Sequence, residues 1–275
     1  MLISLSALAA LAVADPATPV GVSSATTAPS SHWLLDPVPQ NQMRELSTDR
    51  PDMTESPISV DAGHLQVEVD AAVLAVDRSL EANPGLTMLG ANVKVGLTSS
   101  TDLQLVLPAI ATGPGGGAAL IPGDALIRFK WNLVGNDGGD FSLAVMPFVT
   151  MHFDTTDDAL PLDGGIIVPW CFALPGDFGW GSQLVLEGVR DGKGGFEPAV
   201  AVTTSVSHDI AWGLAGYLEA GAFMRPLVFT DSVVIASSGL TLALGGDAQL
   251  DGGVRVPVIA SAGDVEGFLG FTVRR

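Results

Sequence analysis

From His64 onward apolar and polar side chains alternate, and the alternation returns in twelve segments. His64-Leu65-Gln66-Val67-Glu68-Val69-Asp70 sets Leu65, Val67 and Val69 against His64, Gln66, Glu68 and Asp70. A strand sends successive side chains to opposite faces, so a period of two specifies a two-faced strand and excludes a helix. The same phase recurs where Ala91, Val93, Val95 and Leu97 oppose Asn92 and Lys94, and where Leu103, Leu105 and Leu107 oppose Asp102 and Gln104. Ile127, Phe129, Trp131 and Leu133 oppose Arg128, Lys130 and Asn132. Further on, Leu184 and Leu186 oppose Gln183 and Glu187, Val200 and Val202 oppose Glu197, Thr203 and Ser205, and Leu214 and Leu218 oppose Tyr217 and Glu219. Leu250, Val254 and Val256 oppose Gln249, Asp251 and Arg255, and Leu269, Phe271 and Val273 oppose Glu266 and Thr272.

The segments lie near 63–77, 87–98, 101–111, 123–134, 141–153, 164–174, 178–190, 195–207, 210–224, 233–245, 247–258 and 264–275. Each is long enough to cross a bilayer as a tilted strand, which takes about 9–11 residues, and longer than the 5–6 or so usual in soluble sheets. Tight turns are expected at Ser99-Ser100, Pro175-Gly176-Asp177, Ser207-His208-Asp209 and Gly245-Gly246. Longer connectors fall at 78–86, 112–122, 154–163, 225–232 and 259–263, with 135–140 intermediate and 191–194 short. Tight and long connectors broadly alternate, as in a barrel with one end in the periplasm and the other outside. The composition agrees. With 33 Gly and 18 Pro, a helix-rich chain is excluded, and a hydrophobic share of 47% excludes disorder. A net charge of −18 repels phosphate backbones, so no nucleic-acid partner is expected. The single cysteine, Cys171, leaves no internal disulfide and no zinc cluster, and it reads as packing.

Residues 2 to 14 form an apolar run ending Ala12-Val13-Ala14, which reads as a signal peptide over 1–14 cut before Asp15. Residues 15–47, rich in Pro, Ser, Thr and Ala without period, read as a flexible leader. Alternation by itself fits either a soluble sandwich, with the apolar face inside, or a membrane barrel, with that face on lipid. Strand length, the export segment and an apolar phase free of charge away from segment ends favour the barrel. The expected fold is therefore all-β, an antiparallel transmembrane β-barrel of about twelve strands over 63–275. On that reading the lumen carries Glu68, Asp70, Lys94, Arg128, Lys130, Glu187, Glu197, Tyr217, Glu219, Asp251, Arg255 and Glu266. Acids outnumber cations there, which points to a cation-preferring or zwitterionic passage. Twelve strands lie between the roughly eight that side chains fill and the sixteen or so that leave an open channel, so a narrow, partly obstructed lumen is expected.

The run Ser47-Thr48-Asp49-Arg50-Pro51-Asp52-Met53-Thr54-Glu55-Ser56-Pro57, followed by Val60, Gly63-His64 and Gln66-Val67-Glu68, is distinctive. It resembles the opening of an outer-membrane, transporter-like family named for the meta pathway of phenol degradation. Val95-Gly96-Leu97-Thr98, Thr101-Asp102-Leu103-Gln104-Leu105 and Gly267-Phe268-Leu269-Gly270-Phe271 extend the resemblance to the C-terminus. It implies location in the bacterial outer membrane, contact with its lipid and lipopolysaccharide, and passage of small, aromatic or hydrophobic solutes. It implies no catalytic residue and no cofactor. The chain departs from the pattern at its end, Val273-Arg274-Arg275, where such barrels carry an aromatic read by the barrel assembly machinery; either Phe271 substitutes or insertion follows a different or poorer course.

The same run has a physical reading of its own. Lys94, Arg128, Lys130 and Arg255 need partners in a low-dielectric tube, and Asp49, Asp52 and Glu55 flank Arg50 on a course that Pro51 and Pro57 keep non-helical. Residues 48–62 are therefore expected to tuck into the periplasmic mouth as a plug, the alternative being a solvated linker. An enzymatic site would need a nucleophile beside a base. His152 and Ser142 share a phase but lie about 33 Å apart at strand rise, and His32, His64 and His208 have no visible partner, so no enzyme is expected. Acids at Asp154, Asp157, Asp158 and Asp163 lack the spacing of a calcium loop, and no metal is expected. Trp33, Trp131, Trp170, Trp180 and Trp212 fall near segment ends, as in an interfacial belt. The sequence reads as a channel or transporter barrel for small solutes, the rivals being a non-conducting structural or ligand-binding barrel and, third, a secreted sandwich.

Overall fold

The computed structural model describes residues 32–76, 85–112, 118–120, 124–153, 162–190, 195–225, 232–259 and 264–275. The expected signal peptide, the leader up to residue 31 and most of the long connectors lie outside the described residues. The strands, in chain order, are β1 (Leu65–Val76), β2 (Gly85–Met88), β3 (Gly90–Thr98), β4 (Thr101–Leu107), β5 (Ile110–Thr112), β6 (Ala118–Leu120), β7 (Ala125–Val134), β8 (Phe141–Met151), β9 (Leu162–Leu174), β10 (Phe178–Arg190), β11 (Phe196–Ala211), β12 (Leu214–Met224), β13 (Val233–Ala243), β14 (Ala248–Ile259) and β15 (Val265–Arg274).

They form a closed, antiparallel twelve-stranded barrel. The wall runs β1-β3-β4-β7 and then each strand in turn to β15, which pairs back onto β1 from Gln66↔Arg274 to Val76↔Val265. The three short strands continue wall strands past an interruption: β2 precedes β3, β5 follows β4, β6 precedes β7, and β1-β2-β5-β6 pair in that order. Leu89, at φ 63°, breaks the first. At the second stands Pro108, which has no N–H to donate. The seam is sealed by Leu65 N–H to Arg275 O at 2.7 Å and Arg275 N–H to Leu65 O at 2.8 Å.

Burial is inverted relative to a soluble protein. Arg128, Lys130, Lys94, Glu68, Gln104, Gln183 and Asp102 are buried on the inner face, whereas Leu218 and Leu269 are 69% and 62% exposed on the outer. No charged side chain among the described residues stands on the outward phase except at a strand end, such as Arg190 at the last residue of β10. Short connectors at 99–100, 135–140, 175–177, 212–213 and 244–247 share one end of the barrel with both ends of the wall, Leu65 and Arg275. The longer ones share the other.

Three details correct the sequence reading. Ser207-His208-Asp209 is not a turn: β11 runs through it, and the reversal falls at Trp212 (φ 52°) and Gly213 (φ 79°), the left-handed pair a two-residue hairpin needs. The 135–140 connector belongs to the short-turn end. Residues 32–47, read as part of a flexible leader, touch the wall and the 48–62 segment. Leu34 N–H bonds Leu97 O at 2.8 Å, Val38 N–H bonds Ala62 O at 3.0 Å, and Arg44 reaches Asp61 at 2.9 Å.

Candidate functional site

Inward positions of β1, β3, β4, β7, β10, β12 and β14 converge on residues 48–62, and residues 48–57 are all buried. The chain enters at the short-turn end. There Arg274 holds Asp61 at 3.2 Å, Asp247 at 2.9 Å and the Arg44 carbonyl at 2.8 Å. Arg274 thus faces inward from β15, and its charge meets the neck of the entering segment rather than the apolar outer face.

The wall meets this segment with opposite charges on two sides. Asp49 pairs with Lys94 of β3 and with Lys130 of β7 at 2.9 Å, and Glu55 pairs with Arg128 of β7. Lys94 also holds Glu68, whose carboxylate accepts the Asp49 N–H at 3.0 and 3.1 Å. On the other side Arg50 grips Asp251 of β14 at 2.7 and 3.1 Å and Asp70 of β1. Wall side chains also satisfy the segment's backbone. Glu219 accepts the Met53 N–H at 2.7 and 2.8 Å, and Gln183 accepts the Glu55 N–H at 2.8 Å while donating to the Met53 carbonyl at 2.6 Å. Asp102 accepts the Val60 N–H at 2.9 Å, Asn132 donates to the Pro57 carbonyl at 2.8 Å, and Arg255 donates to the Pro51 carbonyl at 3.3 Å. A buried backbone group left without a partner is costly, so this distribution allows a non-regular segment to sit inside a barrel.

The electrostatics follow the geometry. Burial opposes ionisation of Asp49, but Lys130, Lys94 and Arg128 outweigh it and hold the carboxyl well below the usual carboxylate range. Burial likewise opposes the Arg50 charge, and Asp70 and Asp251 more than reverse that. For Glu55 burial prevails over Arg128, and the carboxyl is pushed up.

Glu68, Asp70, Lys94, Arg128, Lys130, Glu219, Asp251 and Arg255 all meet the segment, as do Asp49, Arg50 and Glu55 from within it. Asp52 is fully buried there. Tyr217 is buried on the inner face and meets Ser237 at 3.0 Å, and Glu266 meets Arg255 at 3.5 Å. Glu187 and Glu197 also face inward but lie nearer the long-connector end, away from the charged level around the segment. Sequence reasoning missed Gln183, Asn132, Asp102, Asn136 and the Arg44–Asp61–Arg274 neck. For Gln183, Asn132, Asp102 and Arg274 the inward phase was the available signal; Asn136 sits in a turn with none.

Beyond the charged level the inner face turns apolar. Met146, Ile167, Val185, Ala201 and Phe223 are consecutive register partners across β8 to β12. With Leu126 and Phe148 they bury Met53. At the long-connector end His152 bridges Asp124 at 2.7 Å and Asp163 at 2.9 Å, tying the start of β7 to β8 and β9. Ser142, at the other end of β8, donates to the Gly135 carbonyl. The acids at 154, 157 and 158 lie outside the described residues. Trp131, Trp170, Trp180 and Trp212 stand toward the short-turn end, and Trp212 is 98% exposed.

No family model and no curated protein matches the sequence. Among solved structures the barrel is similar to the NanC porin, at a TM-score of 0.52 and 7% identity over 77% of this chain and 99% of that one. A loop-deletion form of OmpT, an outer membrane protein of Vibrio cholerae, aligns over 77% of this chain and 98% of its own at 9% identity and a TM-score of 0.40. At such identity the porin likeness speaks for the fold: this chain has the architecture of an outer-membrane β-barrel.

Proposed function

We propose that the protein is a bacterial outer-membrane channel for small solutes, closed at rest by residues 48–62. The observation that carries this is the way the lumen is filled. The wall closes on itself through its own strand pairing, and the segment inside is held largely by wall side chains, so it can leave without unzipping the barrel. A core built only for rigidity would be cheaper in apolar residues, because buried ion pairs add little net stability. The resemblance of residues 47–68 to the phenol-pathway transporter family and the apolar row from Met146 to Phe223 favour aromatic or hydrophobic solutes. The outward apolar face would meet outer-membrane lipid, the long connectors lipopolysaccharide, and Phe271 on the outward phase of β15 would serve the assembly machinery.

A reversible lock tests the reading. Thr54 Cγ2 stands 3.4 Å from where a Cβ at Gly181 would lie, within disulfide reach. In planar bilayers the Thr54→Cys/Gly181→Cys protein, made in a Cys171→Ser background because Cys171 is the register partner of Gly181, should stay silent when oxidised and show opening events when reduced. Silence in both states, and also from Arg50→Ala, would leave the non-conducting barrel as the better account.

A further inference from the structure

We propose that Asp70, Gly270 and Asp251 form a guanidinium site in the lumen wall, that Arg50 is its resident occupant, and that a guanidinium-bearing solute is the ligand that takes Arg50's place. Its role in passage rests on the channel reading above; its chemistry rests on the geometry alone.

The three residues are direct register partners on adjacent strands, Asp70↔Gly270 between β1 and β15 and Asp251↔Gly270 between β14 and β15. Two inward carboxylates thus flank a position without a side chain. A Cβ at Gly270 would lie 2.0 Å from Arg50 Nη2 and 2.2 Å from Cζ, and the Gly270 backbone is not in the left-handed region that would by itself favour glycine. The glycine therefore serves to leave room for a planar cation. Asp251 takes Nε and Nη2 in a parallel two-bond pair, at 3.1 and 2.7 Å, while Asp70 takes Nη1 from the other side. That fork fits a guanidinium and not an ammonium, which is a compact point charge.

The site also needs a cation when Arg50 leaves. Asp251 is fully buried, and Arg255 on the same strand is already engaged by Glu266 at 3.5 Å and lies 4.2 Å over the Phe268 ring. An emptied cradle would hold two carboxylates without a counter-charge, which is strongly unfavourable. The Asp70 side chain is 23% exposed while Arg50 and Asp251 are 1% and 0%, so the seat is open on the Asp70 side. Guanidinium is also the more weakly hydrated cation, which suits a path that crosses an apolar level.

The test uses the full-length Arg50→Ala protein folded in detergent, with methylguanidinium and methylammonium chloride at equal ionic strength. Methylguanidinium should raise its heat-unfolding midpoint at a concentration about ten-fold below that needed by methylammonium. Arg50→Ala/Asp251→Asn should lose this preference. Equal action of the two cations, or a preference that survives in the double variant, overturns the proposal. If Arg50→Ala does not fold by itself, its refolding yield in methylguanidinium against methylammonium is read by the same comparison. Because the readout is binding, an Arg50→Ala protein that carries no current counts against the channel while the guanidinium site is still decided.

Discussion

Removing the Arg50 guanidinium strands the fully buried Asp251 and its neighbour Asp70 with no cation between them. Breaking one partner of a buried pair costs about 3–5 kcal/mol, and Arg50→Ala should lose docking energy of that order, seen as a lower denaturant midpoint and as new protease cleavage within 47–57. Barrel closure, which uses none of these groups, should persist. A second residue effect is set by pH. Burial pulls the His152 pKa down, but hydrogen bonds to Asp124 and Asp163 more than reverse it, so the folded value lies above the ordinary 6.5. A raised histidine stabilises fully below its unfolded pKa, and that contribution disappears as pH rises through the folded one. Protection factors of amides at the β7, β8 and β9 ends, with the intrinsic pH dependence divided out, should therefore be lower above this value than at pH 6, and His152→Ala should flatten that change. Glu187, which interacts electrostatically with Asp163, His152 and Arg225, lies in the same cluster. The cations of the site were legible in the sequence because a charge on the inner phase demands a partner. Gln183 and Asn132 were not, since a neutral amide carries no such demand.

At the scale of the strand the period of two held through nearly every element, and its outcome is testable face by face. Val254 lies midway along β14 and is 48% exposed on the outer face. Val254→Lys should cost about 2–4 kcal/mol in lipid vesicles, measured by reversible unfolding, whereas the same change in a soluble sandwich would disrupt a packed core. Strand ends were less legible. Ser207-His208-Asp209 has turn-like composition, yet it pairs as strand with Tyr217, Gly216 and Ala215. Composition records average preference, while a hairpin needs two adjacent left-handed residues, and Trp212-Gly213 supplies them. The interruptions at Leu89 and Pro108 were not read from the sequence, which placed each inside one continuous segment, 87–98 and 101–111.

For the molecule as a whole, closure predicts heat-modifiable migration: unboiled protein from the outer-membrane fraction should run faster on a gel than boiled protein, and a sandwich should not. Two-faced strands, their approximate number and the clean apolar side were determined by the sequence alone, because alternation is a local property that a single segment displays. Which polar groups meet could be decided only by the tertiary structure. Asp70 and Gly270 belong to the first and last wall strands and become neighbours only when β15 closes on β1. Arg50 finds Asp251 across 201 positions of sequence only because residues 48–62 turn back into the tube. The inner phase says that a side chain faces the lumen; the angle around the wall and the depth along it, which set every pair in the site, come from register and closure.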